Sequence, residues 1–70
     1  MKQVRSEMAG TILELKVKVG DAVKSGQEVA IVESMKMEVP LVSAAAGQVS
    51  RILTVVGDFI NDGDVVLELA

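Results

Sequence analysis

The 70-residue chain carries 10 acidic and 7 basic side chains, for a net charge of −3, with no cysteine, no histidine and a single aromatic, Phe59. This excludes disulfides and thiolate zinc sites and removes the commonest general base and transition-metal ligand. It also leaves neither the positive charge nor the stacking platform that nucleic-acid binding needs. Half of the residues are hydrophobic, so a single small domain spanning 1–70 has to be held by packing alone.

From Met1 to Glu7 the chain is polar and charged, without the apolar stretch of a secretory signal. No apolar run is long enough to span a bilayer. A cytoplasmic protein without membrane contact is expected. Ala9-Gly10-Thr11-Ile12 then opens a first structural unit. Leu13-Glu14-Leu15-Lys16-Val17-Lys18-Val19 alternates apolar and charged residues, the period of a half-buried strand. Gly20-Asp21 and Gly26 mark turns, and Val29-Ala30-Ile31-Val32 is a short apolar strand. After Glu33–Glu38 the pattern begins again at a constant offset of 37 residues: Gly10 returns as Gly47, Gly20-Asp21 as Gly57-Asp58, Gly26 as Gly63, and Val29 as Val66. Leu15 matches Ile52 and Val23 matches Ile60. Phe59 and Ile60 are assigned to the core. Asn61-Asp62-Gly63-Asp64 is a further turn, and Val65–Leu69 the last strand.

Two repeats, about 9–32 and 46–69, are each too small to bury an apolar face, so they are expected to pack together about a pseudo-two-fold axis. The count predicts an all-β fold: about eight short strands in two antiparallel sheets, forming a flattened barrel or sandwich with internal two-fold symmetry. The segment 33–38 lies between the repeats, and its symmetry mate falls beyond both chain ends. Lys36 and the termini are therefore expected at opposite ends. Asp21, Asp58, Asp62 and Asp64 fall in turns, where Asp serves local hydrogen bonding. Their spacing matches no calcium loop, and no metal ligand is assigned. No acid and base converge on a cleft, so no catalytic residue is assigned and the chain is not expected to be an enzyme.

Glu33-Ser34-Met35-Lys36-Met37-Glu38 leaves room only for a tight reversal, with Lys36 at its tip and the ammonium in solvent. Met35 and Met37 beside an exposed turn require a reason: packing onto the barrel end, or contact with partners, for which a soft, adaptable side chain is suited. Glu33 and Glu38 are either recognition elements or solvated strand ends.

Set between two Gly-Asp…Gly halves, this segment resembles the attachment hairpin of the biotinyl/lipoyl attachment domains, and the resemblance runs from about Ser6 to Leu69. It is nearest to stand-alone bacterial biotin/lipoyl attachment proteins. The family implies a barrel-sandwich hybrid fold with Lys36 biotinylated by a biotin protein ligase. Met35 and Met37 match the methionines that flank the lysine in biotin carriers, and Glu33, Ser34 and Glu38 become candidates for ligase recognition. The implied role is a carrier that shuttles carboxybiotin between biotin carboxylase and carboxyltransferase sites. The sequence departs from the family pattern at Ser34, where Ala is usual, at Glu7, where many relatives have Pro, and at Ser43-Ala44-Ala45-Ala46, which lacks the common Ala-Pro. Equal spacing of Gly10 to Gly26 and Gly47 to Gly63 leaves no room for the protruding thumb of some carriers. A thumbless domain also resembles lipoyl domains. The alternatives are a lipoyl carrier, modified on Lys36 by a lipoyl ligase for a 2-oxoacid dehydrogenase-type complex, and an unmodified scaffold module. Lipoyl domains more often have Asp before the lysine and Ala or Val after it, so Met-Lys-Met favours biotin.

Overall fold

The computed structural model describes residues 2–70. They form eight strands: β1 (Lys2–Arg5), β2 (Gly10–Leu15), β3 (Ala22–Val23), β4 (Glu28–Ser34), β5 (Met37–Val42), β6 (Gly47–Ile52), β7 (Phe59–Ile60) and β8 (Val65–Leu69), with no helix among the described residues. Two four-stranded sheets result, in the orders β1-β8-β6-β3 and β5-β4-β2-β7, and every pairing is antiparallel.

The offset of 37 converts one sheet into the other, residue by residue. Ile31 faces Pro40 and Ala30 faces Leu41 in the β4–β5 pair. The corresponding β8–β1 pair sets Glu68 against Gln3 and Leu67 against Val4. Ile12 faces Val32 as Val49 faces Leu69, and each register then slips by one residue. The symmetry therefore reaches past the repeats legible in the sequence, to include β1 and β5. It also gives the hairpin a mate: Lys2 pairs with Leu69, the positions related to Val39 and Val32.

The two halves hold each other through reciprocal backbone bonds. Gly20 N donates to Val49 O at 2.8 Å and Val49 N to Asp21 O at 2.9 Å, while Gly57 N donates to Ile12 O at 2.8 Å and Ile12 N to Asp58 O at 2.9 Å. Each Gly-Asp turn thus caps the partner half's strand. Gly20 and Gly57 both sit at φ +97°, a conformation that side-chain-bearing residues rarely adopt. Asp21 accepts from Lys18 N at 3.0 Å, Asp58 from Val55 N at 3.2 Å and Asp64 from Asn61 N at 2.8 Å, which is the local hydrogen bonding expected of turn aspartates. Among the described residues the side chain of Asp62 makes no such bond.

Between the sheets lie Ile12, Val29, Val32, Val49, Val66, Leu67 and Leu69, all essentially inaccessible, with Val4, Val17, Val23, Ala30, Leu41 and Ile60 around them. Each buried Val, Leu or Ile contributes about 1.5–3 kcal/mol relative to exposure, and with no disulfide or metal this is the main favourable term. Two serines join the core. The Ser6 Oγ donates to Met8 O and accepts from Met8 N, and Ser43 does the same with Ala45, so neither buried hydroxyl is left unpaired.

Two expectations are corrected. The alternating run Leu13–Val19 is not one strand: β2 ends at Leu15. Leu13 is the extra residue in the bulge between Ile12 and Glu14, so it turns outward despite its place in the alternation. Phe59 is not core. It is 65% exposed, while Ile60 beside it is 5% exposed, because successive residues of a strand point to opposite faces.

Candidate functional site

Strands β4 and β5 run to the end of their sheet and are joined by two residues, Met35 and Lys36, with Ser34 facing Met37 as the closing pair. Both loop residues have positive φ, 53° and 65°. This is the signature of a type I′ turn, whose twist matches that of the flanking strands and which usually recruits Asn-Gly. Holding two non-glycine residues there costs on the order of 1 kcal/mol each. The ladder beneath, with Glu33 opposite Glu38, Val32 opposite Val39 and Ile31 opposite Pro40, keeps the tip in this shape. Gly10 lets the ladder sit close: a Cβ at that position would meet the backbone carbonyl of Glu33 and lie 2.6 Å from Val32 Cγ1.

The tip is fully presented. Lys36 is exposed and has no salt bridge or hydrogen bond among the described residues. Met35 is 93% exposed and Met37 66%. The packing alternative for the two methionines is thereby excluded, leaving large apolar side chains turned to the outside. Glu33 and Glu38 are exposed and directly opposite each other, without a cation partner among the described residues. Like charges so placed weaken a hairpin. Ser34 is half-buried at the closing pair. All six residues singled out in the sequence therefore fall on one hairpin. Gly10, which sets how close β2 lies to β4, was read in the sequence only as part of the repeat. The Cβ-free contact is visible only once β4 is alongside.

Nothing among the described residues encloses the lysine. An open groove of about 210 Å³ is lined by Gln3, Val4, Arg5, Glu7, Val42 and Ala44, none of them among residues 33–38 at the hairpin tip. Among the described residues no cluster of acidic side chains is arranged to hold a metal. An unpaired amine at the tip of a braced turn suits covalent acylation, with the acyl group carried in solvent and handled by other proteins.

Comparison with known proteins agrees with this geometry. The family model described as "Biotin-requiring enzyme" matches residues 2–69. The chain is 51% identical over 67 residues to the biotin/lipoyl attachment protein of Bacillus subtilis, covering 96% of this chain and 92% of that protein. It is 38% identical over 66 residues to the mitochondrial propionyl-CoA carboxylase alpha chain of Homo sapiens, covering 94% of this chain but 9% of the relative. Among solved structures, the urea carboxylase of Kluyveromyces lactis superposes with a TM-score of 0.90 at 33% identity, covering 99% of this chain and 6% of the carboxylase. The chain thus matches nearly the full length of a small attachment protein and a minor part of each large carboxylase.

Proposed function

The chain belongs to the biotin/lipoyl family and is an attachment domain of the kind found in carboxylase-type proteins, and from that premise we propose that it is a biotin carrier acylated on Lys36 by a biotin protein ligase. One observation carries the reading. Lys36 is the unpaired, exposed amine at the tip of a two-residue turn and is flanked by exposed Met35 and Met37.

The chain's own contribution is positional. The neutral Lys36 Nζ attacks the activated carboxyl carbon presented by the ligase, the activating group leaves, and the proton lost from the amine passes to a base on the ligase. Among the described residues no side chain is paired with the amine, so the base comes from the ligase. The product is an uncharged amide. Held through the Lys36 amide, biotin would supply a ureido nitrogen able to carry a carboxylate group. The braced turn keeps the attachment point fixed, while the long side chain and acyl arm give reach. Tethering of this kind replaces diffusion with an effective concentration on the order of millimolar. The partners that follow are a biotin carboxylase and a carboxyltransferase.

The test is the intact mass of the chain after incubation with biotin protein ligase, ATP and biotin. One biotinyl group should be added to the wild type and none to Lys36→Ala. A gain only with lipoyl ligase and lipoate would move the assignment to a lipoyl carrier, and no gain with either ligase would leave a scaffold.

A further inference from the structure

On the outer face of the hairpin sheet, one cross-strand row runs Phe59, Thr11, Glu33, Glu38: Phe59 faces Thr11, Thr11 faces Glu33 and Glu33 faces Glu38. Their neighbours Ile60, Ile12 and Val32 point inward to the core. The row has no counterpart in the other sheet. The offset that reproduces the strand registers and the Gly-Asp turns maps Phe59 onto Ala22, Thr11 onto Gln48 and Glu33 onto Ala70. There Ala22 faces Gln48, and Ala70 N donates to Gln48 O. The same backbone thus carries an aromatic and two carboxylates on the sheet that bears Lys36, and small or neutral residues on the sheet that does not.

Neither feature serves folding. Phe59 leaves most of its surface in water. Glu33 and Glu38 repel across the ladder and have no cation among the described residues. Exposed aromatics and unpaired charges in one row are the material of a recognition surface, where aromatic side chains tend to dominate the binding energy. The row is also continuous with the acylation site. Strands lie about 4.8 Å apart, so Phe59 is about 10 Å from Glu33 and about 14 Å from Glu38. A standard interface covers about 800 Å² per partner, a disc of about 16 Å radius, so one centred on Glu33 takes in both Phe59 and the turn.

We propose that Phe59 is part of the surface by which the ligase recognises this chain, seated in an apolar pocket of the ligase, with ligase cations two and three strands away meeting Glu33 and Glu38. This rests on the assignment of Lys36 as the biotinylation site. Phe59 does not reach the amine, so it acts on encounter and docking rather than on amide formation.

The experiment measures biotin transfer to the full chain by biotin protein ligase at varied chain concentration. Phe59→Ala should lower kcat/KM about tenfold, the effect of one well-seated aromatic, through a raised KM with kcat little changed. Phe59→Leu should recover part of the loss. Ala22→Phe, which puts the aromatic on the opposite sheet, should match the wild type. Both sites, Phe59 and Ala22, are exposed, so circular dichroism and the thermal midpoint of all three variants should stay at wild-type values. A wild-type kcat/KM in Phe59→Ala overturns the inference, whether or not the biotinylated variant is then handled poorly by a carboxylase. Failure of the wild-type chain to take up biotin removes the premise with it, which is a different result from an unimpaired variant.

Discussion

Glu33 and Glu38 face each other across the β4–β5 ladder, one pair below the closing pair Ser34 and Met37 and with Lys36 above them. Two carboxylates in register lower the stability of a hairpin, and neither finds a cation among the described residues. Their retention beside the one lysine at the tip marks the hairpin as built for something other than stability.

Glu33→Gln should accordingly stabilise the chain by about 0.5 kcal/mol, the scale of a cross-strand charge pair. The gain should shrink in high salt, where exposed charges are screened. Urea unfolding at low and high ionic strength reads both. The same variant should be a poorer ligase substrate. A variant that is more stable and equally well acylated would show that the pair has no recognition role.

The turn itself makes a second test. Met35 sits at φ 53°, which Asn tolerates and a β-branched residue does not. Met35→Asn should leave stability equal to or up to about 1 kcal/mol above the wild type, and Met35→Val should lower it by about 1–2 kcal/mol. If the two variants unfold at the same denaturant concentration, the positive φ is not a constraint on this turn.

Exposure separates Phe59 from the core. Leu67 is fully buried, whereas Phe59 is 65% exposed. Leu67→Ala should cost about 2–5 kcal/mol, enough to unfold much of so small a domain, while Phe59→Ala should stay within about 0.5 kcal/mol of the wild type. Thermal melts of the two variants side by side decide this, and a large loss at Phe59 would mean that it packs.

The offset of 37 made most of the fold legible, because paired glycines and Gly-Asp turns survive in both halves where backbone geometry admits little else. What it hid has physical reasons. Strands β1 and β5 are symmetry mates, yet Lys2-Gln3-Val4-Arg5 and Val39-Pro40-Leu41-Val42 share only the buried apolar position at Val4 and Leu41. They are edge strands of their sheets, with one residue in each held tightly by the core. Ser6 and Ser43 also match at the offset and make the same buried hydrogen bonds, a signal present in the sequence that became meaningful only with burial. The Leu13 bulge defeats alternation because a one-residue slip exchanges the two faces. Lys36 was legible as the tip of a reversal. The turn type was not, since Met-Lys is an unusual occupant of two positive-φ positions.

Gly10 and Gly47 occupy equivalent places in the two halves, so substituting each measures how differently the halves are used. A Cβ at Gly10 would meet the Glu33 carbonyl and lie 2.6 Å from Val32 Cγ1, in the strand that supports the Lys36 turn. A Cβ at Gly47 would lie 2.9 Å from Ala70 O and 3.1 Å from Leu69 Cβ. The first clash is with a strand paired on both sides, by β2 and β5, which cannot yield without breaking a ladder. The second falls mainly on the backbone oxygen of Ala70, just past the last residue of β8, where a shift strains the Ala70 N to Gln48 O bond rather than a ladder paired on both sides. Overpacking of a well-filled site costs about 1–3 kcal/mol, so Gly10→Ala should reach about 3 kcal/mol and Gly47→Ala about 1 kcal/mol. Hydrogen exchange should show the loss at Gly10 concentrated in the amides of Thr11, Glu33 and Glu38, with acylation of Lys36 slowed alongside. Gly47→Ala should leave those amides and the acylation rate unchanged. Equal losses in the two variants would mean that the hairpin is not held by the close approach of β2 to β4.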